Sequence, residues 1–452
     1  ATTHNLSSYQ SYSYHESNDV NTLGSGDIWL GENLDILLEH EVVFNIENRE
    51  VADSVYVRTQ MGSAIKTGTA KYNVLVDGVL VDDFFDTNIS VGDYLKGRLM
   101  SSDASFKSGS SNLRFQVNLV RTSADTEGWI DFIQLNYTRR LQVGTGQFII
   151  SSLESVGAGN VAQYNISNAN EDLQIWEITD PTNVKKVNGS LAGSIYTFKM
   201  NADSLRLFSS FKSNQTYTPI KSGAFLGKIE NQNLHALAPF DYLIVSHESL
   251  LTSAERLANI HRERGLTVNV VPIQKIYNEF SSGVSDPVAI RWFAKMFYDR
   301  AAGDVSKMLD YICLFGDGTY DPLNRISKNN YLMPTYNKTD IIGEKKYINF
   351  SSSYTADDFF ALLDDEDRID KSDLIDVAIG RIPVSTNEVA NDVINKIEHY
   401  MKYGSTLFSN ATGVQCDASG YASTFGDWRN RVVLMADDED DGKFVTDCED
   451  VI

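Results

Sequence analysis

The sequence of 452 residues contains no apolar run near the roughly 20 residues that a membrane-spanning helix needs. We therefore expect no membrane-spanning segment. Positive charge is also scarce, because 39 lysines and arginines stand against 61 aspartates and glutamates, for a net charge of -22. A nucleic-acid partner requires a cationic surface, so this balance argues against one and favours a cationic partner or substrate.

Cysteine is rare, with three residues in the whole sequence. Three cysteines cannot build a disulfide framework, so each is weighed as a candidate nucleophile. Cys313 lies in an apolar run and is predicted to be a core residue. Cys448 lies among acidic residues, whose negative charge disfavours a thiolate and makes it a poor nucleophile. Cys416 lies in a loop of small residues, and its role stays open.

Several catalytic motifs are missing as well. The sequence has no Gly-x-Ser-x-Gly elbow, no phosphate-binding glycine loop and no His-x-x-x-His pair. A doubly wound nucleotide-binding domain is therefore a weak alternative. Of the seven histidines, only His247 is expected directly after a parallel strand. We interpret it as a capping or surface residue rather than a catalytic one.

Residues 1–235 have the pattern of antiparallel strands. Apolar and polar residues alternate over residues 72–76, 112–120 and 129–135, and Asp77-Gly78 is a typical tight turn. No helical pattern of any length interrupts this half. We predict an antiparallel, jelly-roll-like β-sandwich domain over residues 1–235.

Residues 236–452 change to alternating strands and helices. Strands are predicted at 241–246, 266–271, 309–315, 377–380 and 431–435, and helices at 253–265, 287–302 and 387–401. This alternation indicates crossover units and a mostly parallel sheet, so the chain as a whole is an α+β multidomain protein. Ligands and catalytic groups of such sheets collect beyond the carboxyl ends of the strands.

Acidic residues follow three of these predicted strand ends. Asp317 and Asp321 follow the third strand, Asp357 and Asp358 lie in the next loop, and residues 437–441 follow the last strand. Crowded carboxylates need a cation or hydrogen-bond donors, and Ca²⁺ takes six to eight oxygen ligands. The first four residues are therefore candidate Ca²⁺ ligands. The alternative is that residues 364–367 form a solvated turn and that the other acids cap helices.

Four segments of the second half carry a family resemblance. They are residues 314–318 (LFGDG), 354–358 (YTADD), 376–384 (DVAIGRIPV) and 395–400 (NKIEHY). In this order and spacing they resemble the gingipain family (C25) of cysteine endopeptidases. The resemblance implies a caspase-like fold for residues 236–452 and a cysteine nucleophile that needs no cofactor.

Motifs of the first half sharpen this resemblance. Residues 25–32 (SGDIWLGE), 129–137 (WIDFIQLNY) and 175–181 (IWEITDP) resemble the members of the family that act as sortases of the type IX secretion system. The resemblance implies an exported protein at the cell surface, associated with the outer membrane and its secretion components. Its substrates would be secreted proteins whose C-terminal sorting domain is removed.

The sequence also departs from the family pattern. The resemblance places the catalytic His-Gly segment and the nucleophilic cysteine beyond Ile452, so we expect a truncated catalytic domain and an inactive chain. By the same resemblance, Glu439 falls where an acid orients the catalytic histidine, and Asp447 falls near the acid that reads a basic substrate side chain. The alternative is a non-enzymatic surface module for binding or scaffolding, since fold alone does not fix function.

Overall fold

The structure is a computed structural model. It describes residues 2–87, 95–215, 230–326, 329, 331–339, 347–349, 352–369, 373–402, 433–436 and 442–449. The chain divides into two compact units. The β unit comprises Ala1–Gln232, Thr319–Asn329 and Thr335–Asp357, and the α/β unit comprises Asn233–Gly318, Asn330–Pro334 and Asp358–Ile452.

The β unit begins with a jelly roll. Its strands, after the short β1 (Thr3–Leu6), are β2 (Ser8–Glu16), β3 (Glu39–Asn45), β4 (Val55–Ile65), β5 (Thr69–Val76), β6 (Val79–Thr87), β7 (Leu95–Phe106), β8 (Asn112–Arg121) and β9 (Thr126–Arg140). One sheet has the order β2-β9-β4-β7 and the other has the order β3-β8-β5-β6. Counted from β2, these orders are 1-8-3-6 and 2-7-4-5, which define a jelly roll. The predicted jelly-roll-like architecture is confirmed.

Alternation along the strands builds the core of this jelly roll. Every second residue of β5 is buried, with Tyr72 and Val74 fully inaccessible to solvent. Facing residues of β8 and β4, such as Phe115 and Met61, complete the same core. The predicted turn after β5 is present, because Asp77 and Gly78 both have positive φ (50° and 81°), as a tight hairpin turn requires.

A second pair of sheets follows within the β unit. Its strands are β10 (Phe148–Ile150), β11 (Val161–Ile166), β12 (Leu173–Glu177), β13 (Lys185–Val187), β14 (Ser190–Ala192), β15 (Ile195–Asn201) and β16 (Phe208–Lys212). The sheet orders are β1-β11-β15-β14 and β10-β16-β12-β13. In their shared core the ring of Tyr164 stacks on Phe198, and Phe208 packs edge-on against both, at ring-centroid distances of 4.7–5.2 Å. The sequence pattern predicted one sandwich, and the β unit has two sheet pairs.

The α/β unit begins with strand–helix crossovers. Its first elements are β17 (Tyr242–Ser246), α1 (Leu251–Arg262), β18 (Val268–Pro272), α2 (Ile273–Phe280), α3 (Pro287–Ala301) and β19 (Tyr311–Phe315). Asp286 caps α3, because its carboxylate accepts a hydrogen bond from the backbone N–H of Val288, and Pro287 occupies the first turn. Apart from α2, which the sequence pattern did not predict, these bounds agree with the predicted helices and strands within a few residues.

Residues after β19 return to the β unit. They form β20 (Asn337–Thr339), β21 (Tyr347–Asn349) and β22 (Ser353–Thr355). Strand β21 pairs antiparallel with β7 and adds a fifth strand to the first jelly-roll sheet. Ile348 is 1% exposed and packs with Leu99 and Trp129. No local sequence pattern predicts this pairing.

The last described elements complete the α/β unit. They are β23 (Ala378–Ile382), α4 (Asn387–Lys402) and α5 (Lys443–Glu449). All pairings in the sheet β18-β17-β19-β23 are parallel, which confirms the predicted fold class. Val433, Leu434 and Met435, which fall in the last predicted strand, are not in a strand. Of the helices within the described ranges, none has both the length and the hydropathy to cross a membrane.

Candidate active-site edge

The carboxyl ends of the parallel strands form one straight edge. Ser246 of β17 is in register with Pro272 of β18 and with Phe315 of β19, and Phe315 is in register with Ile382 of β23. The chain leaves β17 for β18 on one side and then crosses back to β19 on the other. The direction of winding therefore reverses between β17 and β19, and this switch point is where doubly wound sheets bind ligands.

His247 is the first residue beyond β17 at this edge. Its Nδ1 accepts a hydrogen bond from the backbone N–H of Ser249 at 3.2 Å and lies 2.8 Å from the Ser249 hydroxyl oxygen. His247 therefore caps the short 3₁₀ turn Glu248–Leu250, which confirms the interpretation as a capping residue.

Asp317 lies just beyond β19, the strand next to β17. Hydrogen bonds hold both its backbone N–H and its backbone carbonyl. Its N–H donates to the carbonyl of Val384 at 3.0 Å, and its own carbonyl accepts from the N–H groups of Leu332 and Met333. Its side-chain Oδ1 accepts from the N–H of Gly318 at 3.0 Å. Asp317 is a half-buried carboxylate in a fixed position at the switch point.

Gly316 makes this arrangement possible. Its φ is +151°, which side-chain-bearing residues rarely adopt. A Cβ atom at this position would lie 3.3 Å from the Cβ of Met333 and 3.4 Å from the Cβ of Leu332. The glycine therefore lets residues 332–333 cross directly over the end of β19.

The four candidate Ca²⁺ ligands are divided between the two units. Asp317 and Asp358 belong to the α/β unit, and Asp321 and Asp357 belong to the β unit. Asp321 is fully buried, and its Oδ2 accepts a hydrogen bond from the backbone N–H of Ile326 at 2.7 Å. Its backbone carbonyl also accepts from the side-chain amide of Asn329 at 2.6 Å, so Asp321 closes its own loop. The Ca²⁺ site stays a prediction.

A different set of acids is brought together in the α/β unit. Carboxylate oxygens of Asp364, Asp367 and Asp376 lie within 4.8 Å of one another. Protein donors already serve them, because Tyr298 Oη donates to Asp364 at 2.9 Å and the N–H of Leu363 donates to Asp376 at 2.7 Å. Burial, reinforced by the neighbouring carboxyls, raises the pKa of Asp367. These contacts agree with the interpretation of residues 364–367 as a turn.

The described cysteines do not resemble nucleophiles. Cys313 is 4% exposed, and burial raises its pKa to about 12, as expected for a core residue. Cys448 lies in the last turn of α5, where a helix offers carbonyl groups rather than the N–H groups that favour a thiolate. Asp447 is exposed on the same helix. Cys416 and Glu439 lie outside the described residues.

Sequence reasoning missed one cluster of chemistry-bearing side chains. His15, Glu32 and His40 converge in the jelly roll, each with a potential ligand atom within 4.8 Å of the others. No short sequence motif predicts this cluster, because Glu32 follows His15 by 17 positions and His40 follows Glu32 by 8. A pair of histidines with an acid between them at such spacings is common in folded proteins, so it does not by itself predict a site.

The α/β unit is a doubly wound α/β domain, with a parallel sheet and the fixed carboxylate of Asp317 at its switch point. Residues 235–451 match the model of peptidase family C25. This match agrees with the resemblance that the motifs of the second half predicted.

A solved structure shares the fold beyond the peptidase region. The crystal structure of dimeric latent PorU from Porphyromonas gingivalis has a TM-score of 0.76 and 24% identity, over 87% of this chain and 38% of that chain. An uncharacterized protein of Archaeoglobus fulgidus is 24% identical over 192 residues, which are 40% of this chain and 40% of that protein. The chain thus spans about two fifths of each of these proteins.

Proposed function

We propose that this chain is part of a cysteine endopeptidase that acts as a sortase in type IX secretion. Its substrates would be exported proteins, from which it removes the C-terminal sorting domain at the outer membrane surface. The supporting observation is that the fold similarity to PorU covers 87% of the chain, whereas the C25 match covers residues 235–451. The similarity therefore extends well into the β unit.

In this proposal the sheet edge positions the peptide, and the reacting groups come from the chain beyond Ile452. A cysteine peptidase attacks the carbonyl carbon with a thiolate, and a histidine then protonates the leaving amine before water hydrolyses the thioester. Cys313 is buried and holds its proton, so it does not fit the first step.

Two acids have supporting roles in the same proposal. Glu439 would accept a hydrogen bond from the catalytic histidine and hold its tautomer. Asp447, which is exposed on α5, would form an ion pair with a basic side chain of the substrate. Neither residue would react itself.

A thiol-directed peptidase probe tests the proposal. The purified chain and a longer form that extends through the downstream coding region are incubated with the probe and with a cargo protein that carries a sorting domain. The expected result is labelling and cleavage with the longer form only. Selective labelling of Cys416 or Cys448 in the 452-residue chain, together with cargo cleavage, would overturn the placement of the nucleophile.

The cellular role needs a separate measurement. Deletion of the gene in its host should leave secreted cargo with its sorting domain attached, as seen by mass spectrometry of cargo C-termini. Complementation with the full gene restores the cleaved form, and complementation with the codons for residues 1–452 alone does not. Normal cargo processing in the deletion strain would sink the sortase role while leaving the peptidase family intact.

One observation favours a second function, glycan binding by the jelly roll. Tyr12 and Tyr56 are 72% and 61% exposed, and both are in register with the exposed Asn136 that lies between them on β9. Two strand spacings place their Cα atoms about 9.6 Å apart on one face. Aromatic faces flanking an amide suit a sugar chain, whose C–H faces stack while its hydroxyls hydrogen-bond.

Affinity electrophoresis against a panel of polysaccharides tests this second function. The double variant Tyr12→Ala/Tyr56→Ala should lose the retardation that the wild-type chain shows. Phe85→Ala is the matched control, because Phe85 is 65% exposed on β6 of the opposite sheet. Retardation of the double variant equal to that of the wild type, or no retardation of the wild type, would rule out this face as a glycan site.

A further inference from the structure

Three side chains from separate parts of the jelly roll meet at one point. His15 comes from β2 of one sheet, His40 comes from β3 of the other sheet, and Glu32 comes from the connection between these strands. The Nε2 atom of His15 lies 2.8 Å from Glu32 Oε1, and the Nε2 atom of His40 lies 3.7 Å from the same oxygen. Both imidazoles thus direct the same type of nitrogen toward one carboxylate.

Hydrogen-bonded backbone fixes all three positions. His15 is in register with Ile133 in the β2–β9 pair, and His40 is in register with Val117 in the β3–β8 pair. The carbonyl of Glu32 accepts from the N–H of Ile130 at 3.0 Å. Ligands held by sheet backbone are preorganised, so an ion would bind without first ordering a loop.

Gly31 allows this close approach of the connection. Its N–H donates to the carbonyl of Ile130 at 2.8 Å. A Cβ atom at this position would lie 2.6 Å from the carbonyl oxygen of Ser17 and 2.9 Å from that of Ile130. Only a glycine therefore fits directly before Glu32, and it places the carboxylate between the two strands.

Hydrogen bonding within the cluster leaves ligand capacity unused. At 3.7 Å, the nitrogen of His40 is too far from Glu32 for a hydrogen bond. The second carboxylate oxygen, Oε2, is buried and accepts no hydrogen bond from the described residues. A buried carboxylate oxygen without a donor is costly, and a cation would satisfy it.

The spacing and the atom types suit a transition metal. Zinc binds imidazole nitrogen and carboxylate oxygen at about 2.0–2.2 Å, so neighbouring ligands in a tetrahedron lie about 3.3 Å apart. The observed separations of 2.8 and 3.7 Å from Oε1 lie on either side of that value. Calcium prefers a shell of oxygen ligands, so the presence of two imidazoles argues against calcium at this site.

We propose that His15, Glu32 and His40 bind a divalent transition-metal ion, with Zn²⁺ as the preferred ion and one coordination position open to solvent. The side chain of His40 is 38% exposed, which gives the ion a path from solvent. The net charge of -22 raises the local concentration of cations around the chain. The ion joins β2, β3 and their connection, so it links the two sheets of the jelly roll.

Calorimetric titration of the tag-free, chelator-stripped chain with Zn²⁺ tests the site. The expected result is one equivalent bound, with affinity lowered roughly tenfold or more in His15→Ala and in His40→Ala. His4→Ala is the matched control, because His4 lies on β1 in the same unit and outside the cluster. It should bind like the wild type. Absence of Zn²⁺ binding by the wild-type chain would overturn the proposal.

Cobalt substitution provides a second readout that does not depend on stability. Co²⁺ bound by two imidazoles and a carboxylate in a four-coordinate site gives visible absorption bands that the hydrated ion lacks. Glu32→Gln keeps the side-chain volume and should weaken these bands while circular dichroism stays native. Bands and affinity that are unchanged in Glu32→Gln and in both histidine variants would place the metal elsewhere and sink the assignment.

Discussion

The backbone N–H of Asp317 donates to the carbonyl oxygen of Val384 at 3.0 Å, which ties the loop after β19 to the loop after β23. One residue earlier, the N–H of Gly316 donates to Ile382 at 3.0 Å. Together these bonds continue the parallel sheet past its last strand residues. The carboxylate at the switch point therefore rests on a backbone that hydrogen bonds hold in place.

Substitution of Gly316 should destabilise this edge. Gly316→Ala forces a side-chain-bearing residue to φ +151° and places its Cβ 3.3 Å from that of Met333. We expect a loss of about 1–3 kcal/mol in the free energy of unfolding, measured by urea denaturation. Gly380→Ala is the control, because a Cβ there meets nothing within 4 Å. Equal stabilities of the two variants would contradict this account of the loop.

Removal of one partner of a buried ion pair in the jelly roll should cost more stability than replacement of both partners by apolar residues. Asp86 is 1% exposed and pairs with Arg98, whose side chain is 11% exposed. Asp86→Ala leaves the guanidinium without its partner and should cost about 3–5 kcal/mol in thermal or urea unfolding. Asp86→Leu/Arg98→Met should recover much of that loss.

The exposed pair Arg58–Asp103 in the same jelly roll is the control for this experiment. The two side chains are 56% and 67% exposed, so solvent screens their attraction. Arg58→Ala should unfold at the same urea concentration as the wild-type chain. A double variant at Asp86 and Arg98 that is as unstable as Asp86→Ala would argue that packing, and not the unpaired charge, controls the site.

Alkaline pH should weaken the β unit through Tyr9. Burial raises the pKa of this side chain to about 12, against about 10 in an unfolded chain, although the charge of Arg139 opposes the shift. The stabilising contribution is complete below pH 10 and is lost as the pH rises through 12, because the unfolded chain releases the proton first. Relative to Tyr9→Phe, the wild type should lose about 1.4 kcal/mol between pH 8 and pH 11.

Urea denaturation at the two pH values measures this difference. Leu6→Ala provides the comparison, because Leu6 packs in the same core and has no proton to release. Its effect on the unfolding free energy should be the same at pH 8 and pH 11. A pH-independent difference between wild type and Tyr9→Phe would show that Tyr9 is not the titrating group.

The added strand β21 should contribute to the stability of the jelly roll. Ile348 is 1% exposed, so Ile348→Ala should cost about 2–5 kcal/mol, read from the fluorescence of Trp129 in the same cluster during unfolding. The control is Ile36→Ala, because Ile36 is 91% exposed. If the two alanine variants unfold together, β21 does not pack as described.

Local sequence patterns were sufficient to predict much of the secondary structure and the fold class of both halves. Alternation of period two predicted the strands around Tyr72 and Phe115, and the change of pattern near residue 235 predicted the parallel sheet. The turn at Asp77-Gly78 was also readable, because backbone with positive φ favours those residues. His247 and Asp317 could be assigned to one edge, since the carboxyl ends of parallel strands share it.

Only the tertiary structure decided which distant segments meet. Ile348 packs on Leu99, and His15, Glu32 and His40 converge from two sheets and their connection. Asp321 followed the same acidic pattern as Asp317, yet it is buried and closes its own loop with the N–H of Ile326. The physical reason is that strand and helix periods act over a few residues. Contacts between strands that are distant in the sequence depend on how their buried faces pack together, which no local period specifies.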